Sequence, residues 1–347
     1  MSTSTSSPTM NMSKAVIIMM LGVVALAFSA IAVKEANFEP STSAFLRCAI
    51  AFVVLLPFAL NEIKKKGKLS RTGVLLSILA GIFLGIDMTA WNYAIFYVGA
   101  GISSVLLNVQ IIILPGLAMI FDKYKPKKIF WILAPILLLG AVMTGGVFDG
   151  PVSEGPAKIH GVPTNILGTL LGSLSGLCYG IYLYTSRKAG TVNPGRYVQP
   201  LLWVFLAQLI PQAITMFTIS DRGFDITNGV LVNNILPMNP ETVVGDPITM
   251  TNWLWIIGLG VVGHAMAWVF IQIGSVNMSP TTAAALLLLS PVTTVIVARW
   301  THNEIPSTLQ YLGIVIVLVA VAIQNELHKP LFKKLGLSAG GKGKDET

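Results

Sequence analysis

The chain has 347 residues, 54% of them hydrophobic and only 11% charged, with a net charge of +8 and a mean hydropathy of +0.73. A soluble fold of this size needs about a quarter of its residues charged to cover its surface, so a water-soluble globular protein is excluded. The basic excess would suggest nucleic acid in a soluble chain, but in a membrane protein it marks the cytoplasmic side, so its placement has to be read before its sum.

Ten segments hold the apolar length of about 20 residues that carries a helix across a bilayer. They are 15–34, 42–60, 73–96, 101–121, 129–147, 166–186, 199–218, 251–273, 281–301 and 308–325. They are apolar on all sides, without the alternation of a barrel strand. The expected fold class is an all-α polytopic membrane protein. With the N-terminus inside, 18 of the 23 Lys and Arg fall in cytoplasmic segments: Lys14, the runs within 64–71, 123–128 and 187–196, and the tail within 329–344. Three fall outside (Lys34, Lys158, Arg222), and Arg47 and Arg299 lie within spans. One missed or extra helix would reverse every later loop and destroy this bias. Ten spans with both termini cytoplasmic, in the plasma membrane, is therefore the expected topology.

The apolar stretch after Lys14 is too long for a signal-peptide core and is read as the first span. Cys48 and Cys178 lie inside spans and read as small apolar residues rather than a disulfide. Two external loops are long, 148–165 and 219–250. The second carries Asp221, Asp225, Glu241 and Asp246 and reads as a solvated insertion. The basic tail from Glu326 suits anionic headgroups. Nothing points to nucleic acid as a partner.

The two halves, 1–150 and 151–347, are alike. Asp87-Met88-Thr89-Ala90-Trp91 in the third span answers to His264-Ala265-Met266-Ala267-Trp268 in the eighth, 177 residues on. The following spans open with Gly101-Ile102-Ser103-Ser104 and Thr281-Thr282-Ala283-Ala284. Five spans is an odd number, so the second copy enters from the other side, as in secondary transporters built from inverted repeats. Gly81, Gly85, Gly168, Gly172 and Gly176, at four-residue spacing, read as close helix contacts.

These features resemble the drug/metabolite transporter superfamily in its ten-helix EamA-type branch. The resemblance is carried by Phe45-Leu46-Arg47, Trp91-Asn92-Tyr93-Ala94, the stretch from Gly172 to Ser186-Arg187, and Ser279-Pro280-Thr281-Thr282-Ala283-Ala284 through Ser290-Pro291-Val292 to Asn303-Glu304. It implies carriage of a small organic metabolite by alternating access, as an exchanger or with protons. It names no substrate.

Ionisable residues inside the bilayer cost about 2.5–3.5 kcal/mol on insertion scales and are functional candidates by default. Asp87 lies roughly 21 Å along the third span, and His264 near the centre of the eighth. A pseudo-two-fold axis would bring them to one cavity, to bind substrate or carry the coupling proton; the alternatives are a helix cap and a packing histidine. Trp91 and Trp268, one turn on, read either as aromatic walls of that cavity or as core packing. Asn92, Asn108 and Gln110 should face the interior, as substrate contacts or as bonds between helices. Arg47 and Arg299, with Glu35, Glu39 and Glu304 near the same surface, read as an outer ion-pair layer or a gate, and Pro115 and Pro291 as helix breaks or tolerated kinks. No phosphate-binding G-x-x-x-x-G-K-[ST] occurs, so ATP is not the energy source within this chain. No cofactor or metal is expected. The expected partners are a small-molecule substrate and the bilayer, with the chain a monomer or homodimer. The competing function is an intramembrane serine hydrolase built on Gly172-Ser173-Leu174-Ser175-Gly176 with His264 as base.

Overall fold

The computed structural model describes residues 11–123, 128–144, 147–148, 158–159, 161–219, 248–277, 286–287, 289–301 and 305–324. The helices are α1 (Met12–Ala36), α2 (Pro40–Lys66), α3 (Arg71–Val98), α4 (Ala100–Leu106), α5 (Gln110–Asp122), α6 (Lys128–Thr144), α7 (Thr164–Val192), α8 (Val198–Ile219), α9 (Met250–Gly258), α10 (Ala267–Val276), α11 (Leu289–Thr301) and α12 (Thr308–Gln324). A 3₁₀ turn at Leu107–Val109 joins α4 to α5, and a π-helix at Leu259–Met266 joins α9 to α10. Six helical stretches are long and apolar enough to cross a membrane: Ser13–Ala36, Pro40–Lys66, Arg71–Val98, Thr164–Gly190, Val198–Thr218 and Met250–Gly274. A two-residue-per-strand hairpin, β1 (Lys158–Ile159) against β2 (Val162–Pro163), stands within the segment expected to be loop.

The helices start where side chains can occupy their orphan N–H groups. Asn11 accepts from the Ser13 N–H at 3.0 Å, Ser70 from Gly73 at 3.1 Å, and Thr249 and Asn252 form a reciprocal capping box. Helices α2 and α7 outrun the predicted spans, ending at Lys66 and Val192 rather than 60 and 186. Hydropathy registers only the turns inside hydrocarbon, and both helices continue as polar turns beyond it.

The described helices pack across the two halves of the sequence. α1 lies on the α9–α10 rod, α2 on α8, α3 on α7, α4 on α11, and α6 on α12. Exchanging the halves maps α1 to α7, α2 to α8, α3 to the α9–α10 rod, the α4–α5 rod to α11 and α6 to α12. This set of contacts survives the exchange: α1 on the α9–α10 rod becomes α7 on α3. The secondary contacts obey the same rule, since α2 meets the π-helix while α8 meets α3, and α5 meets α7 while α11 meets α1.

Burial is inverted relative to a soluble protein. Leu75, Phe58, Val53, Leu170 and Ile214 are exposed, while Arg47, Asp87, Asn92, Gln208, Gln212 and His264 are buried at 0–1% exposure. Glycines on α3 and α7 permit close helix contacts. A Cβ at Gly81 would stand 2.3 Å from the Val204 carbonyl oxygen, and one at Gly172 2.7 Å from Leu106. Cys48 and Cys178 are free, buried thiols.

Candidate functional site

Helix α2 turns three ionisable side chains inward at three depths. Glu39, Arg47 and Glu62 are 0%, 1% and 8% exposed. At 1.5 Å per residue they are separated by roughly 12 Å and roughly 22 Å. Each organises a different polar cluster.

Arg47 sits in the middle cluster. Its Nη2 donates to His264 Nδ1 at 3.2 Å and lies 3.2 Å from Met88 Sδ, and the guanidinium stands 5.6 Å from the Trp91 ring centroid. A guanidinium can only donate, so Nδ1 is the acceptor and the imidazole carries its proton on Nε2. Nε2 faces the Gln208 amide nitrogen at 3.4 Å; exchanging that amide's O and N gives the pair a proper donor and acceptor. His264 lies inside the π-helix, whose wider turn also brings Gly260 against the Arg47 carbonyl. Such insertions destabilise a helix and concentrate at functional positions.

Asp87, fully buried, accepts a short hydrogen bond from the Ser175 hydroxyl across to α7. Its Oδ2 has no hydrogen-bond partner among the described residues. Trp268 packs edge-on against Tyr182 and Tyr179 at 5.3 and 5.9 Å, and Phe205 lies 4.6 Å from the His264 ring. The indole N–H groups of Trp91 and Trp268 are likewise buried without a partner among the described residues.

The amides divide. Asn92 Nδ2 donates to the Pro40 carbonyl at 3.0 Å, tying α3 to the start of α2. Asn108 Nδ2 donates to the Val105 carbonyl at 3.0 Å within its own segment, and Gln110 Oε1 is unpartnered among the described residues. The regular α-helix gives way at Leu107–Val109, ahead of Pro115, and continues through it. Arg47 thus stands with the central residues rather than at an outer surface. Arg299 is exposed on α11, and Glu304 and the Ser279–Ala284 motif lie outside the described residues.

Two further clusters stand at the ends of α2, one around Glu39, which the sequence places in the outer charged layer, and one around Glu62, which it does not single out as a site. Glu39 caps α2, accepting from Thr42 N at 2.8 Å and Thr42 Oγ1 at 3.0 Å, and from the hydroxyls of Ser41 and Tyr93. The signal was local: an acid before Pro40 at the first helical position. At the lysine-rich end, Glu62 accepts from the N–H groups of Tyr197, Val198 and Gln199 at 3.0, 3.0 and 2.9 Å, so it caps α8 from a different helix. Lys66 donates to Gly195 O at 2.6 Å, Asn193 accepts from Ser70 N at 2.9 Å, and Gln199 donates to Gly67 O at 3.0 Å. The α2–α3 and α7–α8 connections are thereby latched together. Glu62→Ala should lower stability by about 1–2 kcal/mol, because the first turn of α8 loses its acceptor. Thermal unfolding in detergent measures this, and an unchanged midpoint would refute the capping role.

The serine hydrolase arrangement is not formed among the described residues. The Ser175 hydroxyl donates its hydrogen bond to Asp87, and the two His264 nitrogens are directed at Arg47 and Gln208.

Comparison with known proteins agrees with this architecture. No curated protein matches the sequence. A solved chain described only as a crystal structure of a protein aligns with a TM-score of 0.56 at 14% identity, covering 91% of this chain and 99% of its own, which shows a shared fold. The model of the EamA-like transporter family matches residues 13–146 and 166–325, one match in each half. The chain belongs to the EamA-like transporter family, and is a membrane protein with several apolar helices of spanning length.

Proposed function

We propose that this protein is a secondary active transporter that moves a small organic metabolite across the plasma membrane by alternating access, as an exchanger or with protons. Ten spans in two inverted five-helix repeats, 1–150 and 151–347, with both termini cytoplasmic, follow from the charge bias of the loops. The exchange-invariant packing of the halves supports the same arrangement. The observation that carries the reading is the buried cluster of Asp87, Arg47 and His264, drawn from α3, α2 and the π-helix, with open hydrogen-bonding valences.

In this reading Asp87, His264, Trp91 and Trp268 contact the substrate or coupling proton, Arg47 belongs to the same site, and Gln110 borders it. Asn92 holds α3 to the start of α2, and Asn108 bonds within its own segment. The latch around Glu62 closes the cytoplasmic side, and its opening is the conformational step. Arg299 and Glu304 remain candidates for the opposite gate. The partners are the small solute and the bilayer, with the chain a monomer or homodimer and no nucleic acid, cofactor or metal.

Cysteines at Ser70 and Asn193, which face each other across the latch, test it. Oxidising the pair in proteoliposomes should stop solute flux, and a reductant should restore it. Undiminished flux through the fully cross-linked protein would sink the latch as a gate.

A further inference from the structure

Outside the central cluster, positive charge gathers at the latched end of the molecule. Lys64, Lys65, Lys66, Lys68, Arg71 and Arg196 stand in and beside the α2–α3 and α7–α8 connections. The latch consumes two of them. Lys66 donates to Gly195 O and lies 3.3 Å from Glu62, and Arg196 Nη2 donates to Lys66 O at 2.5 Å. Lys64, Lys65, Lys68 and Arg71 are exposed, and among the described residues no carboxylate bonds them. The acids nearby are already committed: Glu62 to the N–H groups of α8, and Asp122 to Lys188 at 2.7 Å.

The places of these cations on their helices say what faces them. On α2, Lys64 continues the exposed line of Val53 and Leu60, and Lys65 lies two turns beyond exposed Phe58. On α3, Arg71 precedes exposed Leu75 and Leu79 at four-residue steps. In a membrane-spanning chain such apolar lines face hydrocarbon. The cations at their ends therefore stand at headgroup level, where long basic side chains reach for the surface. A soluble partner would meet them only from the water. A phospholipid headgroup meets them at the end of the lines that its own acyl chains cover.

We propose that the adjoining ends of α2 and α3 bind the headgroup of an anionic phospholipid, with Lys64 and Arg71 as its main contacts and Lys65 and Lys68 at its edge, and that the bound lipid holds the latch closed. Closing the latch sets Arg196 against the end of a lysine run, and like charges repel within a Debye length of about 8–10 Å. An anionic headgroup offsets this crowding, and it does so most when the two connections are together. The inference rests on the membrane-spanning character of the chain and not on transport, so it stands or falls separately from the function proposed above.

The test is lipid retention by the delipidated full chain, offered phosphatidylglycerol and phosphatidylcholine together and read by native mass spectrometry. The protein should retain phosphatidylglycerol in preference. Lys64→Gln with Arg71→Gln should lower that preference about tenfold or more, the combined worth of two cations at an anionic surface. Lys14→Gln with Lys123→Gln removes the same charge from exposed positions away from the patch, and should leave the preference intact. In vesicles, cysteines at Ser70 and Asn193 should cross-link faster as phosphatidylglycerol replaces phosphatidylcholine, and Lys64→Gln with Arg71→Gln should abolish the acceleration. Absence of a preference for phosphatidylglycerol would overturn the site. Equal losses in the two double variants would also overturn it, by showing a diffuse surface charge. Inorganic phosphate that speeds cross-linking equally in phosphatidylcholine would put a free anion in place of the lipid. Cross-linking indifferent to phosphatidylglycerol would overturn its hold on the latch.

Discussion

Asp87→Asn should reduce solute flux roughly a hundredfold to a thousandfold while the protein remains folded. Truncating one partner of a buried, hydrogen-bonded charge contact to a ligand costs about 2–5 kcal/mol of binding, and each 1.4 kcal/mol is tenfold in affinity. The asparagine keeps the shape of the carboxylate and can still accept from Ser175, so the lost quantity is the charge opposite Arg47. Ser175→Ala serves as the comparison, since it removes one donor to Asp87 and leaves the charge. Its effect should be about tenfold or less, the scale of a single hydrogen bond. Initial rates in proteoliposomes, with size-exclusion profiles to monitor folding, measure both. Equal losses in the two variants would show that position, rather than charge, is what Asp87 supplies.

The second large effect is structural. Gly81→Val should destabilise the protein by about 1–3 kcal/mol or prevent its folding, because overpacking displaces backbone. A Cβ there would lie 2.3 Å from the Val204 carbonyl oxygen and 2.8 Å from the Ala207 Cβ; at Gly85 it would lie 2.5 Å from Pro211 and 2.6 Å from the Gln208 carbonyl oxygen. Neither side can yield without moving α3 away from α8. Gly190→Ala is the matched control, since nothing lies within 4 Å of a Cβ at that position. Thermal midpoints in detergent should drop for Gly81→Val and hold for Gly190→Ala. Equal midpoints would mean that the α3–α8 contact is looser than its geometry.

How much of this was legible beforehand depended on the range of the interaction. The apolar stretches were readable because lipid demands a long, locally encoded run, and the glycines of α3 and α7 because close packing repeats every four residues. Asp87 and His264 stood out because charge is rare in such stretches. Arg47 was misplaced by depth alone: it lies near one end of α2 in sequence, yet its guanidinium reaches inward to His264, 217 residues away. Glu62 carried no local sign either, since it caps a helix that begins more than a hundred residues later. It follows the apolar span next to a lysine run, where an acid reads as a loop charge, although its side chain is nearly buried. Glu39 was different, because an acid preceding Pro40, Ser41 and Thr42 is a readable cap. The π-helix around His264 had no such signature; Gly258, Gly260 and Gly263 fit ordinary close packing equally well.

The central claim is that this chain carries a small solute through the Asp87–Arg47–His264 cluster. The most direct measurement is counterflow of a labelled cell-metabolite extract in proteoliposomes, read by mass spectrometry. The account predicts that one or a few small solutes exchange, and that Asp87→Asn abolishes their movement without altering protein insertion. If no solute exchanges, or a lipid is hydrolysed instead, the account is contradicted.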